Sequence, residues 1–149
     1  MSLKEWLKNA LAGESAPLIV SKEENMLSGL NFSEALKAHE EWKVKLKKEL
    51  SGSSERRLDV AFIAQDHNCV LGKWIHGTGE KQYSHLNEFK RARRAHANFH
   101  LAAAQVVIEH QSGNTEKAQE LLKTTFRSSS NTNQLALVGL FTAADNKPL

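Results

Sequence analysis

The two prolines of this 149-residue chain lie near its ends, at Pro17 and Pro148. A proline inside a helix removes a hydrogen bond and clashes with the preceding turn, so the long stretch between the two can be helical throughout. Apolar residues recur in that stretch at steps of three and four, and the alternation typical of strands is hard to find. We therefore expect an all-α protein.

The first thirty residues differ in character from the rest of the chain. Residues 2–12 place their leucines and a tryptophan on one face of a short helix, whereas residues 13–30 are rich in serine, glycine and charge. The second segment is typical of a linker or of a short element docked on another part of the protein. We expect an N-terminal helix and linker at 1–30, a helical domain at 31–144 and a tail at 145–149.

The apolar pattern predicts six helices in that domain. They cover residues 31–50, 55–65, 69–76, 86–111, 115–127 and 135–141. The polar run at residues 128–133 is predicted to separate the last two helices.

One cysteine and three histidines fall on these predicted helices. His96 and His100 are four residues apart on an apolar stripe, so they lie one turn apart on the same face. His39 lies in the middle of the apolar stripe of an earlier helix, and Cys69 is the only cysteine. A single histidine on an apolar face is more often a core residue, but this combination favours a metal site. Thiolate together with imidazole favours tetrahedral zinc.

Four further residues flank these candidates. Trp42 and Trp74 are expected to wall the site and exclude water, or simply to pack in the core. Gly72, one turn past Cys69, has no side chain to hold neighbouring backbone away. Asp66 is expected to cap the short helix, or alternatively to accept a hydrogen bond from a ligand imidazole.

Three sequence blocks occur in a fixed order: His39-x-x-Trp42, Cys69-x-Leu71-Gly72-x-Trp74 and His96-x-x-x-His100. Together they resemble the chemoreceptor zinc-binding (CZB) domain over roughly residues 31–141. The resemblance implies an antiparallel helical bundle of the four-helix type, with short extra helices, that forms a homodimer. It also implies zinc bound by three histidines and one cysteine: His39, Cys69, His96 and His100.

The resemblance also implies a role in bacterial signalling. Four protein ligands leave no position for water or substrate, so we do not expect an enzyme. The expected input is zinc level or an oxidant such as hypochlorous acid, the latter through oxidation of Cys69, and the sequence does not choose between them. The expected partners are chemoreceptor or cyclic-di-GMP machinery. Because the 149 residues contain no diguanylate cyclase signature and no chemoreceptor signalling hairpin, the output stays open.

Two other classes of protein compete with this interpretation. A haemerythrin-like di-iron bundle needs His-x-x-x-Glu pairs, and the chain offers only His76 with Glu80, interrupted by Gly77 and Gly79. A structural or adaptor domain is the second alternative, with the basic run at residues 90–94 touching an acidic partner. Zinc, iron or no metal in the purified protein would distinguish the three.

Composition and charge limit the expected partners and the expected compartment. The net charge of +3 is small and mixed in sign, so nucleic-acid binding is not expected. No apolar run approaches the ~20 residues that span a bilayer, so no membrane partner is expected. A single cysteine cannot form an intramolecular disulfide, and we expect a reducing cytoplasm.

Overall fold

The computed structural model describes residues 26–52 and 58–145. Its helices are α1 (Phe32–Ser51), α2 (Val60–Ala64), α3 (Val70–Trp74), α4 (Glu80–Tyr83), α5 (Asn87–Gln111), α6 (Thr115–Leu121) and α7 (Arg127–Asp145). The all-α bundle expected from the sequence is confirmed, and no helix of the described ranges is long and apolar enough to cross a membrane. The helix predicted at 2–12 and the tail residues 146–149 lie outside the described residues.

Three short turns join these helices. A 3-10 turn, Asp66–Asn68, precedes α3. A π-helical turn at Ile75–Gly79 joins α3 to α4, and a second one at Leu122–Phe126 joins α6 to α7. The chain therefore changes direction repeatedly between Asp66 and α5, close to Cys69.

A small antiparallel hairpin precedes α1, formed by β1 (Met26–Leu27) and β2 (Leu30–Asn31). Ser28 and Gly29 between them both have positive φ angles, as a type I′ hairpin turn requires. Leu27 and Leu30 are buried, and the indole Nε1–H of Trp74 donates to the Ser28 carbonyl at 3.0 Å. The last residues of the expected linker thus pack on the helical domain. The proposed boundary near residue 30 stays a prediction.

Two of the three long helices in the described ranges, α1 and α5, are bounded by capping or terminating residues. The Asn31 side chain accepts a hydrogen bond from the Glu34 amide at 3.0 Å and fixes the start of α1. Gly52 ends α1 in the left-handed region, with φ at 78°. Gly113, with φ at 90°, follows α5, and its amide donates to the His110 carbonyl. Both helices therefore agree closely with the ranges predicted from the sequence.

The predicted polar break at residues 128–133 is wrong. The chain is helical through this run, and α7 extends from Arg127 to Asp145. Ser130 and Asn133 are buried, between the buried apolar residues Phe126 and Leu137. Packing of this helix against α5 therefore outweighs the low helix propensity of serine and asparagine.

The core consists of two clusters of buried residues. The first includes Leu27, Phe32, Leu71, Trp74, Phe89 and Phe141. The second includes Leu46, Ile63, Phe99, Val107, Ala118 and Phe126. Along α5, His96 lies between Ala92 of the first cluster and Phe99 of the second, and His39 has the same place along α1. His39 and His96 are thus polar residues at the junction of the two apolar clusters.

Candidate metal centre

Four side chains from three separate segments meet at this junction. His39 comes from α1, Cys69 from the residue before α3, and His96 and His100 from α5. One potential ligand atom of each lies within 4.8 Å of the other three. The imidazoles are buried and the thiol is partly buried. Within the described ranges, no other group of three or more histidine, cysteine or acidic side chains could hold a metal ion.

Cys69 is the N-cap of α3 rather than part of the helix. Its backbone is extended, and its Sγ accepts a hydrogen bond from the Gly72 amide at 3.3 Å. Gly72 allows the close approach on which this arrangement depends. A Cβ there would lie 1.7 Å from the Asp66 carbonyl oxygen, so α3 packs directly on the backbone of the preceding turn.

Main-chain carbonyls orient two of the imidazoles. His39 Nδ1–H donates to the Ala35 carbonyl at 2.8 Å, and His100 Nδ1–H donates to the Ile63 carbonyl at 3.0 Å. Because these bonds place the hydrogen on Nδ1, the lone pair of each neutral ring lies on Nε2. His39 Nε2 is buried and has no hydrogen-bond partner in the described part of the chain. His100 Nε2 lies 3.6 Å from Cys69 Sγ.

His96 differs from the other two because one of its nitrogens faces two partners. Its Nε2 lies 3.3 Å from Cys69 Sγ and 3.1 Å from the Asp66 carbonyl oxygen. Its Nδ1 is buried without a hydrogen-bond partner among the described residues. A protonated Nε2 donates to the carbonyl, whereas an unprotonated Nε2 offers its lone pair to a metal. A metal ion bound at Nε2 would therefore compete with the Asp66 carbonyl for this atom.

The donor set fits zinc. Zinc–nitrogen bonds of about 2.0–2.1 Å and zinc–sulfur bonds of about 2.3 Å put the ligand atoms of a tetrahedron roughly 3.3–3.6 Å apart. Cys69 Sγ lies 3.3 Å from Nε2 of His96 and 3.6 Å from Nε2 of His100, close to that spacing. Buried nitrogens without partners are uncommon in proteins, and His39 Nε2 lacks the electron-pair acceptor that a metal would supply.

The electrostatics of the site agree with metal binding. Burial lowers the pKa of His39 to about 4 and that of His96 to about 3, and burial also lowers the pKa of His100. All three rings are therefore neutral at pH 7, as metal coordination requires. Burial raises the pKa of the Cys69 thiol. A bound dication opposes this effect, because it stabilises the thiolate.

Asp66 makes two contacts near the site. Its main-chain carbonyl faces His96, and its side chain pairs with His76. Its carboxylate accepts a hydrogen bond from His76 Nε2 at 2.9 Å. Burial acts to raise the pKa of Asp66, but the hydrogen bond and charge of His76 outweigh it, and the pKa is lowered. The helix-capping position expected for Asp66 is occupied by Cys69. Asp66 instead links the cluster to His76.

The two tryptophans have different surroundings. The ring centroid of Trp42 lies 6.4 Å from that of His100, so Trp42 borders the cluster. Trp74 packs against Tyr83 and Phe89, with centroids 5.9 and 6.4 Å away. Among the described residues its ring contacts thus lie in the first core cluster rather than with the imidazoles.

The structure does not bring together the pair on which a haemerythrin-like centre would depend. His76 pairs with Asp66, whereas the Glu80 carboxylate lies 3.5 Å from Arg93. Neither belongs to a metal-binding group within the described ranges.

The carbonyls of Ala35, Ile63 and Asp66 are the part of the site that the sequence did not indicate. Each contacts one imidazole. Every residue has a carbonyl, so residue type carries no signal for them. The only sequence clue was Gly72, whose missing side chain permits the close backbone approach.

Comparison with known families agrees with this geometry. Residues 39–107 match the family model of the chemoreceptor zinc-binding domain, a span that includes all four clustered residues. Residues 39–107 of the chain are therefore similar to the CZB domain. No curated protein and no solved structure matches it significantly. The match and the four-residue cluster together confirm zinc as the cofactor expected from the sequence.

Proposed function

We propose that His39, Cys69, His96 and His100 are the four zinc ligands of the CZB domain, and that the site reports zinc level or oxidants. One observation carries the proposal: a thiol and three imidazoles converge within 4.8 Å, and His39 Nε2 is buried there without a partner. Nε2 is the ligand atom we assign to each histidine, because two of these nitrogens lie at tetrahedral spacing from the sulfur.

Elemental analysis of the purified protein tests the metal. One zinc per chain supports the proposal, whereas two irons per chain would favour the haemerythrin-like alternative. A protein without metal would favour a structural or adaptor domain. In competition with a chromophoric chelator, Cys69→Ala, His96→Ala and His100→Ala should each weaken zinc binding. Unchanged affinity in Cys69→Ala would contradict the ligand assignment.

His96 provides a route from zinc level to conformation. In the structure its Nε2 lies 3.1 Å from the Asp66 carbonyl, and a nitrogen that ligates a metal cannot also carry the hydrogen for that bond. Zinc binding therefore removes a hydrogen bond from the Asp66–Asn68 turn while it ties the neighbouring Cys69 to α5. A ligand shifts an equilibrium between two conformations by the difference between its binding free energies for them. Zinc level therefore sets the conformation of this turn to the extent that zinc binds one conformation more tightly than the other.

Amide exchange with and without zinc tests this route. Because zinc ligation joins Cys69 to α1 and α5, exchange at residues 69–74 should slow when zinc is present. The Asp66–Asn68 turn should respond as well, whereas α6 serves as an internal control. Identical exchange in both conditions would refute the conformational part of the proposal and leave zinc binding intact.

Cys69 offers a second input because it is only partly buried. Its thiolate displaces chloride from hypochlorous acid, so that the sulfur gains the OH group as a sulfenic acid and chloride leaves with the electron pair of the O–Cl bond. The sulfur is oxidised by two electrons and the chlorine is reduced by two. The neutral sulfenic acid is a weaker metal ligand than the thiolate, so oxidation loosens the link between Cys69 and the imidazoles.

Zinc release measured with a chromogenic dye tests the redox role. Stoichiometric hypochlorous acid should release zinc from the wild-type chain, and mass spectrometry should find the oxidised sulfur at Cys69. Methionine is also oxidised by this reagent, and Met26 is exposed. The matched variant Met26→Leu should release zinc as the wild type does. Release without any modification of Cys69 would refute the redox role.

We further propose a signalling role in the bacterial cytoplasm, as a non-catalytic homodimer that acts on chemoreceptor or cyclic-di-GMP machinery. The family match supports a sensory role. The zinc-binding domain is assigned to residues 31–144, flanked by segments 1–30 and 145–149. Sedimentation at several protein concentrations tests the dimer, and limited proteolysis of the zinc-loaded chain tests the boundaries.

A further inference from the structure

A cavity of about 500 Å³ opens beside the metal cluster, between α5 and the turn that carries His76. Its polar lining consists of Asp66, His76, Ser84, Lys90, Arg93 and Arg94. None of the four proposed zinc ligands lines this cavity. We refer to it as the α5 cleft.

The α5 cleft carries an excess of positive charge. Lys90, Arg93 and Arg94 stand at positions i, i+3 and i+4 of α5, so they share one face of the helix. The only carboxylate in the lining belongs to Asp66, and it is already hydrogen-bonded to His76 at 2.9 Å.

The surrounding ion pairs compensate this charge only weakly. Arg93 lies 3.5 Å from Glu80, but both side chains are about half exposed, and exposed pairs of this kind contribute little. Within the described ranges neither Lys90 nor Arg94 forms an ion pair. Concave surfaces lined by charge of one sign concentrate ions of the opposite sign.

The types of donor in the cleft indicate which anion it suits. Two guanidinium groups present planar pairs of N–H donors, which match the oxygens of phosphate, and a lysine adds a point charge. The Ser84 hydroxyl is an additional group able to donate. Three cations exceed what one singly charged carboxylate requires but suit a phosphate dianion. We propose that the α5 cleft binds the phosphate group of a small molecule or of a phosphorylated partner.

Calorimetric titration of the full chain with inorganic phosphate at low ionic strength tests the site. Arg94→Gln removes a donor pair from the cleft and should weaken binding on the order of tenfold. Arg91→Gln is the matched control, because it removes the same charge from the same helix at a residue that lines a neighbouring groove and not the cleft. Its affinity should equal that of the wild type. Equal losses in the two variants, or no binding to the wild type, would overturn the proposal.

Two further measurements assign the source of the phosphate and separate this site from the metal. A phosphoserine peptide that binds more tightly than inorganic phosphate, and more tightly than its unphosphorylated form, would indicate a phosphorylated partner; equal affinities would indicate a free anion. Both results support a phosphate site. Arg94→Gln should keep the wild-type affinity for zinc, because Arg94 is not one of the four clustered side chains. A phosphate affinity that Arg94→Gln leaves at the wild-type level would indicate phosphate coordinated to zinc, and it would overturn the assignment to the cleft without touching the zinc proposal.

Discussion

Replacement of Gly72 by alanine should impair the metal site without removing a ligand. The new Cβ would lie 1.7 Å from the Asp66 carbonyl oxygen, and real contacts are at least 3.0 Å, so the two backbones must separate by about 1.3 Å. The same carbonyl contacts His96 Nε2, and the displaced helix begins at Cys69. Because metal–ligand distances tolerate only about 0.2 Å, the site must distort. Changes in residues that position metal ligands typically cost about 10–100-fold in metal affinity.

Chelator competition measures this loss, and a second glycine provides the control. Gly139 lies inside α7, and a Cβ there would meet nothing within 4 Å. Gly139→Ala should therefore bind zinc like the wild type, and it should gain about 0.5–1 kcal/mol in stability from helix propensity. Far-UV circular dichroism checks that both variants are folded. Wild-type zinc affinity in a folded Gly72→Ala would refute the role assigned to this backbone contact.

Three other measurements address neighbouring parts of the structure. His39→Ala should weaken zinc binding strongly, whereas His110→Ala should not, since His110 lies outside the cluster; equal affinities would contradict the assignment. In metal-free protein, His39 and His96 are buried as neutral rings, with folded pKa values of about 4 and about 3. The free energy of unfolding should therefore decrease as the pH falls below 6.5 towards these values, because the unfolded state binds more protons than the folded state. His39 alone accounts for about 2 kcal/mol between pH 7 and pH 5, measurable by urea unfolding, and pH-independent stability over this range would refute it. Trp74→Phe removes the hydrogen bond to Ser28 and should cost about 1 kcal/mol of stability while zinc affinity stays unchanged; weaker zinc binding would place Trp74 at the site after all.

The helical class and the four candidate ligands could be predicted from local patterns. Helical periodicity in an uninterrupted stretch indicates which face of each segment is buried, and His39, His96 and His100 all lie on such faces. Spacing of four residues alone puts His96 and His100 on one face. The chemistry of thiolate and imidazole then restricts the metal, whichever way the helices pack.

The local pattern failed where tertiary contacts outweigh propensity. The run at residues 128–133 consists of residues that favour turns, yet α7 continues through it because it packs along α5. Cys69 fell inside a predicted helix, but the close approach of Gly72 to the Asp66 backbone places it at the N-cap instead. Both outcomes depend on tertiary contacts as well as on the local sequence.

The orientation of the candidate ligands was decided only by the tertiary structure. The sequence determined that an imidazole stands at His39, His96 and His100, but the carbonyls of Ile63 and Asp66 select which nitrogen of a ring faces its neighbours. Those carbonyls lie about thirty or more residues away from the rings they contact. A main-chain oxygen is the same in every residue, so only the path of the backbone places it. Residue type therefore set the chemistry of this protein, and the fold set the geometry in which that chemistry acts.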